Sequence, residues 1–281
     1  MTGVDVLWAG GWLRDPAEPV LRGDDAGFAT GLGVFETCAV VGGRAFALTR
    51  HLHRLAASLA ALGLPPVDLD EVRAAVAAVL DAGGDGLGRL RVTVSPGAPG
   101  GHARPSLVVT GGPAPVRGAP HVVRSPWVRN ERSPLAGHKS TSYAADALAL
   151  AAAVRVGGNE ALLADTRGAL CEGTGSNVFV ERDGELLTPG LATGCLPGVT
   201  RALVLAWSAE AGLPVREAGP DELPWTVVED ARQGRVGLAL TGSLRGVVGV
   251  EVVEGVAVPV GPLTAEVARR FRARAADDLD P

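Results

Sequence analysis

The chemistry of this chain centres on one short run, His138-Lys139-Ser140-Thr141-Ser142-Tyr143. Lys139 is the only lysine in 281 residues, and Tyr143, four positions later, is the only tyrosine. Positive charge elsewhere comes from arginine, which pairs with carboxylates and phosphates as well as lysine or better. A guanidinium has no amine that deprotonates near neutral pH, so it forms no imine. A single primary amine in an arginine-rich chain therefore points to covalent carbonyl chemistry. The competing account is a biased composition that left one lysine on a solvated face.

Three other stretches bear on that choice. Glu172 precedes a loop of small polar residues, Gly173-Thr174-Gly175-Ser176-Asn177. Pro197-Gly198 precedes Val199-Thr200 at a predicted helix start, where exposed N–H groups attract anions, although many helices start this way without a ligand. Thr241-Gly242-Ser243-Leu244 is a small loop that offers hydroxyls and N–H groups. An amine, a nearby phenol, an acid and anion contacts match the needs of pyridoxal phosphate: a Schiff-base lysine, an acid against the ring nitrogen and a phosphate cup.

The elements that must position these groups follow from pattern. Residues 4–12 read as a hairpin turning at Gly10-Gly11. Gly31-Leu32-Gly33 leads into a strand through Val41, and a second strand spans 44–48. The glycines are explained equally well by turn geometry alone. Thr49 reads as an N-cap for a helix whose Leu52, Leu55, Leu59 and Leu62 recur at helical spacing. Arg54 borders that stripe, as a surface residue or with its fork at a cleft. A helix over 70–80, strands over 89–95 and 106–110, and a Gly/Pro cluster from 111 to 120 follow, and the cluster marks a boundary. The expected domains are 1–115, mixing strands and helices, and 121–281, carrying Lys139. In the second, a strand at 121–124 and a loop lead to Lys139, just before a helix over 142–156. That helix's positive end disfavours an ammonium on the lysine. Strands over 160–165, 170–172, 178–181, 186–188 and 236–241, a helix from 198 to 211, a hairpin of 247–253 with 256–258, and a helix over 264–275 complete the reading.

Composition narrows the classes. Hydrophobic residues make up 47% of the chain, enough for a sizeable core, and the net charge of −5 lacks the basic excess of nucleic-acid binding. Apolar runs break before membrane-spanning length, and residues 1–5 do not resemble a secretion signal. Cys38, Cys171 and Cys195 form no metal-type spacing, which fits a reducing cytoplasm and no metal site.

The second half resembles the class IV aminotransferases, the fold-type IV pyridoxal-phosphate enzymes. The matching residues are Glu172-Gly173-Thr174-Gly175-Ser176-Asn177-Val178-Phe179, Leu186-Leu187-Thr188 and Leu196-Pro197-Gly198-Val199-Thr200-Arg201. Gly31-Leu32-Gly33-Val34-Phe35-Glu36-Thr37 and His51-Leu52-His53-Arg54-Leu55 extend the likeness into the first half. The resemblance implies an α+β, two-domain fold like that of D-amino-acid transaminases: a small N-terminal α/β sandwich and a larger C-terminal pseudo-barrel. It further implies a homodimer. Carried over by position, Lys139 bonds the cofactor and moves protons, Glu172 meets the pyridine nitrogen, and Arg54 clamps the phosphate with Val199, Thr200 and Ser243. Tyr143 lies near the phenolic oxygen, one position closer to the lysine than in related aminotransferases, and Asn177 belongs to the cofactor-binding signature. Within the family, residues 130–143 look most like aminodeoxychorismate lyases, which make 4-aminobenzoate and pyruvate, and Thr37 takes a proton-delivery position. Branched-chain or D-amino-acid transamination is the alternative. The arginine–histidine pair of D-amino-acid transaminases is incomplete here: the loop reads Ser95-Pro96-Gly97-Ala98-Pro99-Gly100-Gly101-His102, with Arg104 nearby. A catalytically silent cofactor-binding protein is the reading from another class, and joint retention of Lys139, Glu172 and Arg54 speaks against it.

Overall fold

A computed structural model describes residues 3–98, 104–116 and 118–281. Two compact units emerge: Met1–Val116 with His138–Tyr143 and Ala276–Pro281, and Arg117–Gly137 with Ala144–Ala275.

The first unit contains β1 (Val6–Ala9), β2 (Trp12–Arg14), the short α1 (Ala26–Ala29), β3 (Val34–Val41), β4 (Arg44–Ala45), α2 (Leu48–Ala61), α3 (Leu69–Gly83), β5 (Arg89–Ser95) and β6 (Ser106–Gly112). Its sheet has the order β2-β1-β6-β5-β3-β4, antiparallel throughout. Leu52, Leu55 and Leu59 recur every three or four residues, so α2 presents one apolar stripe. That stripe packs with Val72, Val76 and Val79 of α3 on Val34, Cys38, Leu90, Val92 and Val94 of the sheet. Each such side chain contributes about 1.5–3 kcal/mol through burial.

In the second unit β7 (His121–Arg124), α4 (Ala144–Arg155), β8 (Glu160–Ala164), β9 (Leu170–Gly173), β10 (Asn177–Arg182), β11 (Glu185–Thr188) and α5 (Val199–Glu210) come first. They are followed by β12 (Val215–Glu217), α6 (Val227–Arg232), β13 (Gly237–Gly242), β14 (Gly246–Gly249), β15 (Val252–Val253), β16 (Val256–Ala257) and α7 (Pro262–Asp277). Two five-stranded sheets form, β12-β11-β10-β13-β14 and β16-β15-β7-β8-β9. One apolar cluster takes Val122, Leu162 and Leu170 from the second sheet, Val178, Val180, Leu187, Leu238 and Leu240 from the first, and Val227, Val228 and Ala231 from α6.

Three expectations change. The lysine run packs with the first unit rather than with 121–281, because its backbone pairs with the start of β3: Phe35 N donates to the Lys139 carbonyl at 2.9 Å and Thr141 N to that of Gly33 at 2.8 Å. Thr49 is not the cap of α2. The N-cap is Ala47, in the left-handed region at φ 53° with no side-chain bond. The cap comes instead from Asp280, whose carboxylate accepts from Thr49 N at 2.8 Å and Thr49 Oγ1 at 2.6 Å. The expected strand 247–253 divides into β14 and β15, which belong to different sheets.

Candidate active site

Lys139 owes its place to two glycines with different tasks. Gly31 turns the chain at φ +69°, and its carbonyl accepts from Thr141 Oγ1 at 2.7 Å and Ser142 Oγ at 2.8 Å. Gly33 permits a close approach: a Cβ there would lie 2.8 Å from the Val94 carbonyl oxygen and 3.0 Å from Thr141 Oγ1. The lysine strand can therefore lie flat along β3, and the alternation of β3 puts Phe35 and Thr37 on one face. The Lys139 Nζ sits 4.5 Å from the Phe35 ring centroid and 5.8 Å from that of Tyr143. Tyr143 meets Phe35 edge-on at 5.5 Å. Arg91 of β5, opposite Thr37 in the ladder, stacks its guanidinium 3.7 Å from the Phe35 centroid. An amine, a phenol and a cation thus gather around one aromatic ring.

Glu36 alternates to the other face, towards α2. Its Oε1 accepts from Arg54 Nε at 2.7 Å, and its Oε2 accepts from Arg54 Nη2 at 2.7 Å and lies 2.6 Å from His51 Nδ1. Burial pushes the Glu36 carboxyl up, but the Arg54 charge and the bonds from Arg54 and His51 outweigh it and bring it down to about 2. Burial lowers the His51 pKa, against the pull of Glu36. Arg54 is therefore no surface residue; its side chain is 11% exposed.

In the second unit Glu172 lies near the end of β9. Its Oε2 accepts from Leu196 N at 3.0 Å, and Arg129 Nη2 lies 3.1 Å from Oε1. Arg129 also reaches Asp146 of α4 at 2.7 Å. Burial lowers the Arg129 pKa, yet Glu172 and Asp146 together raise it above its ordinary value. Asn177 Nδ2 donates to the Leu196 carbonyl at 2.8 Å, so Asn177 and Glu172 grip one backbone turn. Glu160 latches the small-residue loop through Thr174 N at 2.9 Å, the Thr174 hydroxyl and Ser176 Oγ at 2.9 Å. Arg245, two residues past Ser243, lies 3.5 Å from the same carboxylate. Ser243 is half-buried in the turn between β13 and β14.

The start of α5 tests whether an anion fits. Gly198, the N-cap, makes no side-chain capping bond, and a Cβ there would collide with Asn177 Oδ1. Val199 and Thr200 are buried, and as the first residues of α5 their N–H groups have no carbonyl partner within the helix. Bare buried N–H groups at a helix start are what a phosphate satisfies. Two other signature residues prove structural. Thr188 Oγ1 donates to the Val178 carbonyl, and Arg201 ties α5 to the Pro189 carbonyl and Glu217. Burial raises the Cys195 thiol to about 11 and the Cys38 and Cys171 thiols further, which leaves them no nucleophilic role at neutral pH.

Sequence reading expected Lys139 and Tyr143 in the second domain, but the first unit holds them with Thr37 and Arg54, while Glu172, Asn177, Val199, Thr200 and Ser243 lie in the second. It missed Glu36, Arg91, Arg129, Asp146 and Glu160. The available signal was their charge inside apolar or small-residue runs, where an acid is rarely buried without a partner. The loop region 99–103 lies outside the described residues, so the incomplete arginine–histidine pair has no structural account.

Comparison with known proteins points to one family. The chain is 33% identical over 224 residues to a bifunctional aminodeoxychorismate lyase / D-amino acid transaminase of Mycobacterium tuberculosis, covering 70% of this chain and 75% of that one. A probable branched-chain-amino-acid aminotransferase of Synechocystis is 39% identical over 108 residues, 38% of this chain and 35% of that protein, so this match spans about a third of the relative's length. The solved structure of a hypothetical aminotransferase from Mycobacterium tuberculosis in its PLP-bound form superposes with a TM-score of 0.86 at 27% identity, covering 97% of this chain and 99% of that one. The profile of the family Amino-transferase class IV matches residues 33–253, and with its α+β fold of fold-type IV the chain belongs to this pyridoxal-phosphate-dependent family.

Proposed function

We propose that the protein is a lyase that converts 4-amino-4-deoxychorismate to 4-aminobenzoate and pyruvate. The observation that carries the reading is the face of β3 shared by Phe35 and Thr37, where Lys139 and Arg91 both meet the Phe35 ring. The M. tuberculosis relative whose name includes aminodeoxychorismate lyase supports it.

Pyridoxal phosphate supplies an aldehyde that bonds an amine and a ring that accepts electrons from the carbon bearing it. Lys139 Nζ would hold that aldehyde, and as a free amine it would take the proton from the amine-bearing ring carbon of the substrate. Glu172, fixed by Leu196 N and Arg129, keeps a proton on the pyridine nitrogen. Arg54, the Val199 and Thr200 N–H groups and Ser243 would hold the phosphate, and Tyr143 would serve the phenolic oxygen. Arg91 offers a half-buried cation to a substrate carboxylate. Loss of the neighbouring enolpyruvyl ether makes the substrate ring aromatic, and the Thr37 hydroxyl would relay the proton taken by Lys139 to the methylene carbon of the departing enolpyruvate, giving pyruvate. The homodimer and the cytoplasmic setting belong to the same proposal. Leu148, Leu150 and Val154 on the exposed side of α4 suit a protein partner.

The second reading is transamination of branched-chain or D-amino acids, favoured by the names of both relatives. The experiment offers aminodeoxychorismate without a keto acid, beside leucine and D-alanine each with 2-oxoglutarate. The lyase reading expects pyruvate in the first tube only, and Lys139→Ala to abolish it. Turnover confined to the amino-acid tubes would replace it with the transaminase reading. No turnover in any tube by the cofactor-loaded protein would leave the silent binding protein.

A further inference from the structure

Glu36 takes no part in the chemistry above, yet it is one of the most deeply buried acids of the chain, at 1% exposure. Both of its oxygens are committed to α2. Two parallel bonds of 2.7 Å grip the Nε/Nη2 edge of Arg54, and His51 closes the second oxygen at 2.6 Å. His51 and Arg54 stand three residues apart, on one face of α2. A fork held along that edge cannot rotate about its own stem, so the Nη1 end points out of the pair in one fixed direction. Electrostatics alone would argue against such an arrangement. A neighbouring carboxylate cancels much of the charge that a phosphate-binding arginine should display. What the acid provides is orientation, which lowers the ordering cost of binding.

We propose that Glu36, braced by His51, is a positioning residue that pre-orients Arg54 for the phosphate of pyridoxal phosphate. The inference rests on Arg54 being the phosphate clamp, as read above. Glu36 touches no reacting atom; it acts through the guanidinium.

The test compares two probes, pyridoxal phosphate and pyridoxal, which differ only in the phosphate. Each is titrated into the cofactor-free full chain, with tryptophan fluorescence as the readout. In Glu36→Gln the affinity for pyridoxal phosphate should fall on the order of ten- to a hundred-fold, the scale of a charge-assisted hydrogen bond, while pyridoxal binds as in the unaltered protein. A purely structural role would weaken both probes together, and that outcome overturns the proposal. Arg54→Ala serves as the control for the underlying reading. If Arg54→Ala loses the preference for the phosphorylated probe while Glu36→Gln keeps it, Arg54 is the clamp and the positioning role fails. If Arg54→Ala also keeps it, the clamp reading itself fails. Should Glu36→Gln not fold, nitrogen NMR of the unaltered, cofactor-free chain decides. A pre-oriented fork gives separate Nη signals for Arg54, and a single averaged signal overturns the proposal.

Discussion

Replacing Gly33 by alanine tests how the lysine strand is held. The added Cβ would stand 2.8 Å from the Val94 carbonyl oxygen and 3.0 Å from Thr141 Oγ1. The Val94 side belongs to the β3–β5 ladder and yields little, so the strain falls on residues 138–142. That segment must lift by a few tenths of an ångström, which stretches the bonds Phe35 N to Lys139 O and Thr141 N to Gly33 O. Overpacking costs about 1–3 kcal/mol and each of the two weakened backbone bonds about 0.5–1.5 kcal/mol, so opening of this segment becomes easier by about 2–6 kcal/mol. Amide hydrogen exchange reads this directly. Exchange at Thr141 and Phe35 should accelerate at least about thirty-fold, since each 1.4 kcal/mol is worth ten-fold, while Val92 inside the β5 ladder keeps its protection. Unchanged exchange at Thr141 would refute the close-approach argument. Equal acceleration at Val92 would show a general loss of stability instead.

Arg129→Met should destabilise the second unit by about 3–5 kcal/mol at pH 7, because Asp146 and Glu172 lose their shared cation. Urea unfolding measures it, and a loss under about 1 kcal/mol would sink the idea that this arginine neutralises both acids. Acidification should weaken the folded state in two stages. His51, faced by Glu36, Arg54 and Lys139, has a folded pKa below 6.5, so the unfolded chain takes up a proton that the buried ring refuses and stability falls from about pH 6.5 downward. Glu36, held at about 2 against 4.5 unfolded, contributes fully above about pH 4.5 and loses that contribution as pH falls towards 2. Urea midpoints across pH should show both stages, and a His51→Gln variant with the same decline between pH 6.5 and 5 would contradict the first.

Local pattern was enough for much of this protein. The leucine spacing of α2 identified the helix and its buried face, since a period of 3.6 residues sorts side chains without reference to the rest of the chain. The identities of Lys139 and Glu172 pointed to the cofactor because few other side chains can form an imine or hold a ring nitrogen protonated. Tertiary structure decided the rest. Asp280 caps α2 from 231 positions away, which no local signal at Thr49 can announce. The lysine run joins β3 of the first unit although it follows the Gly/Pro boundary in sequence. Glu36 lies in a strand of apolar residues, and only the docking of α2 supplies the two partners that make its burial tolerable. Periodicity tells a residue which side to face, whereas a buried charge or an uncapped helix end is satisfied by whatever the closed chain brings to it.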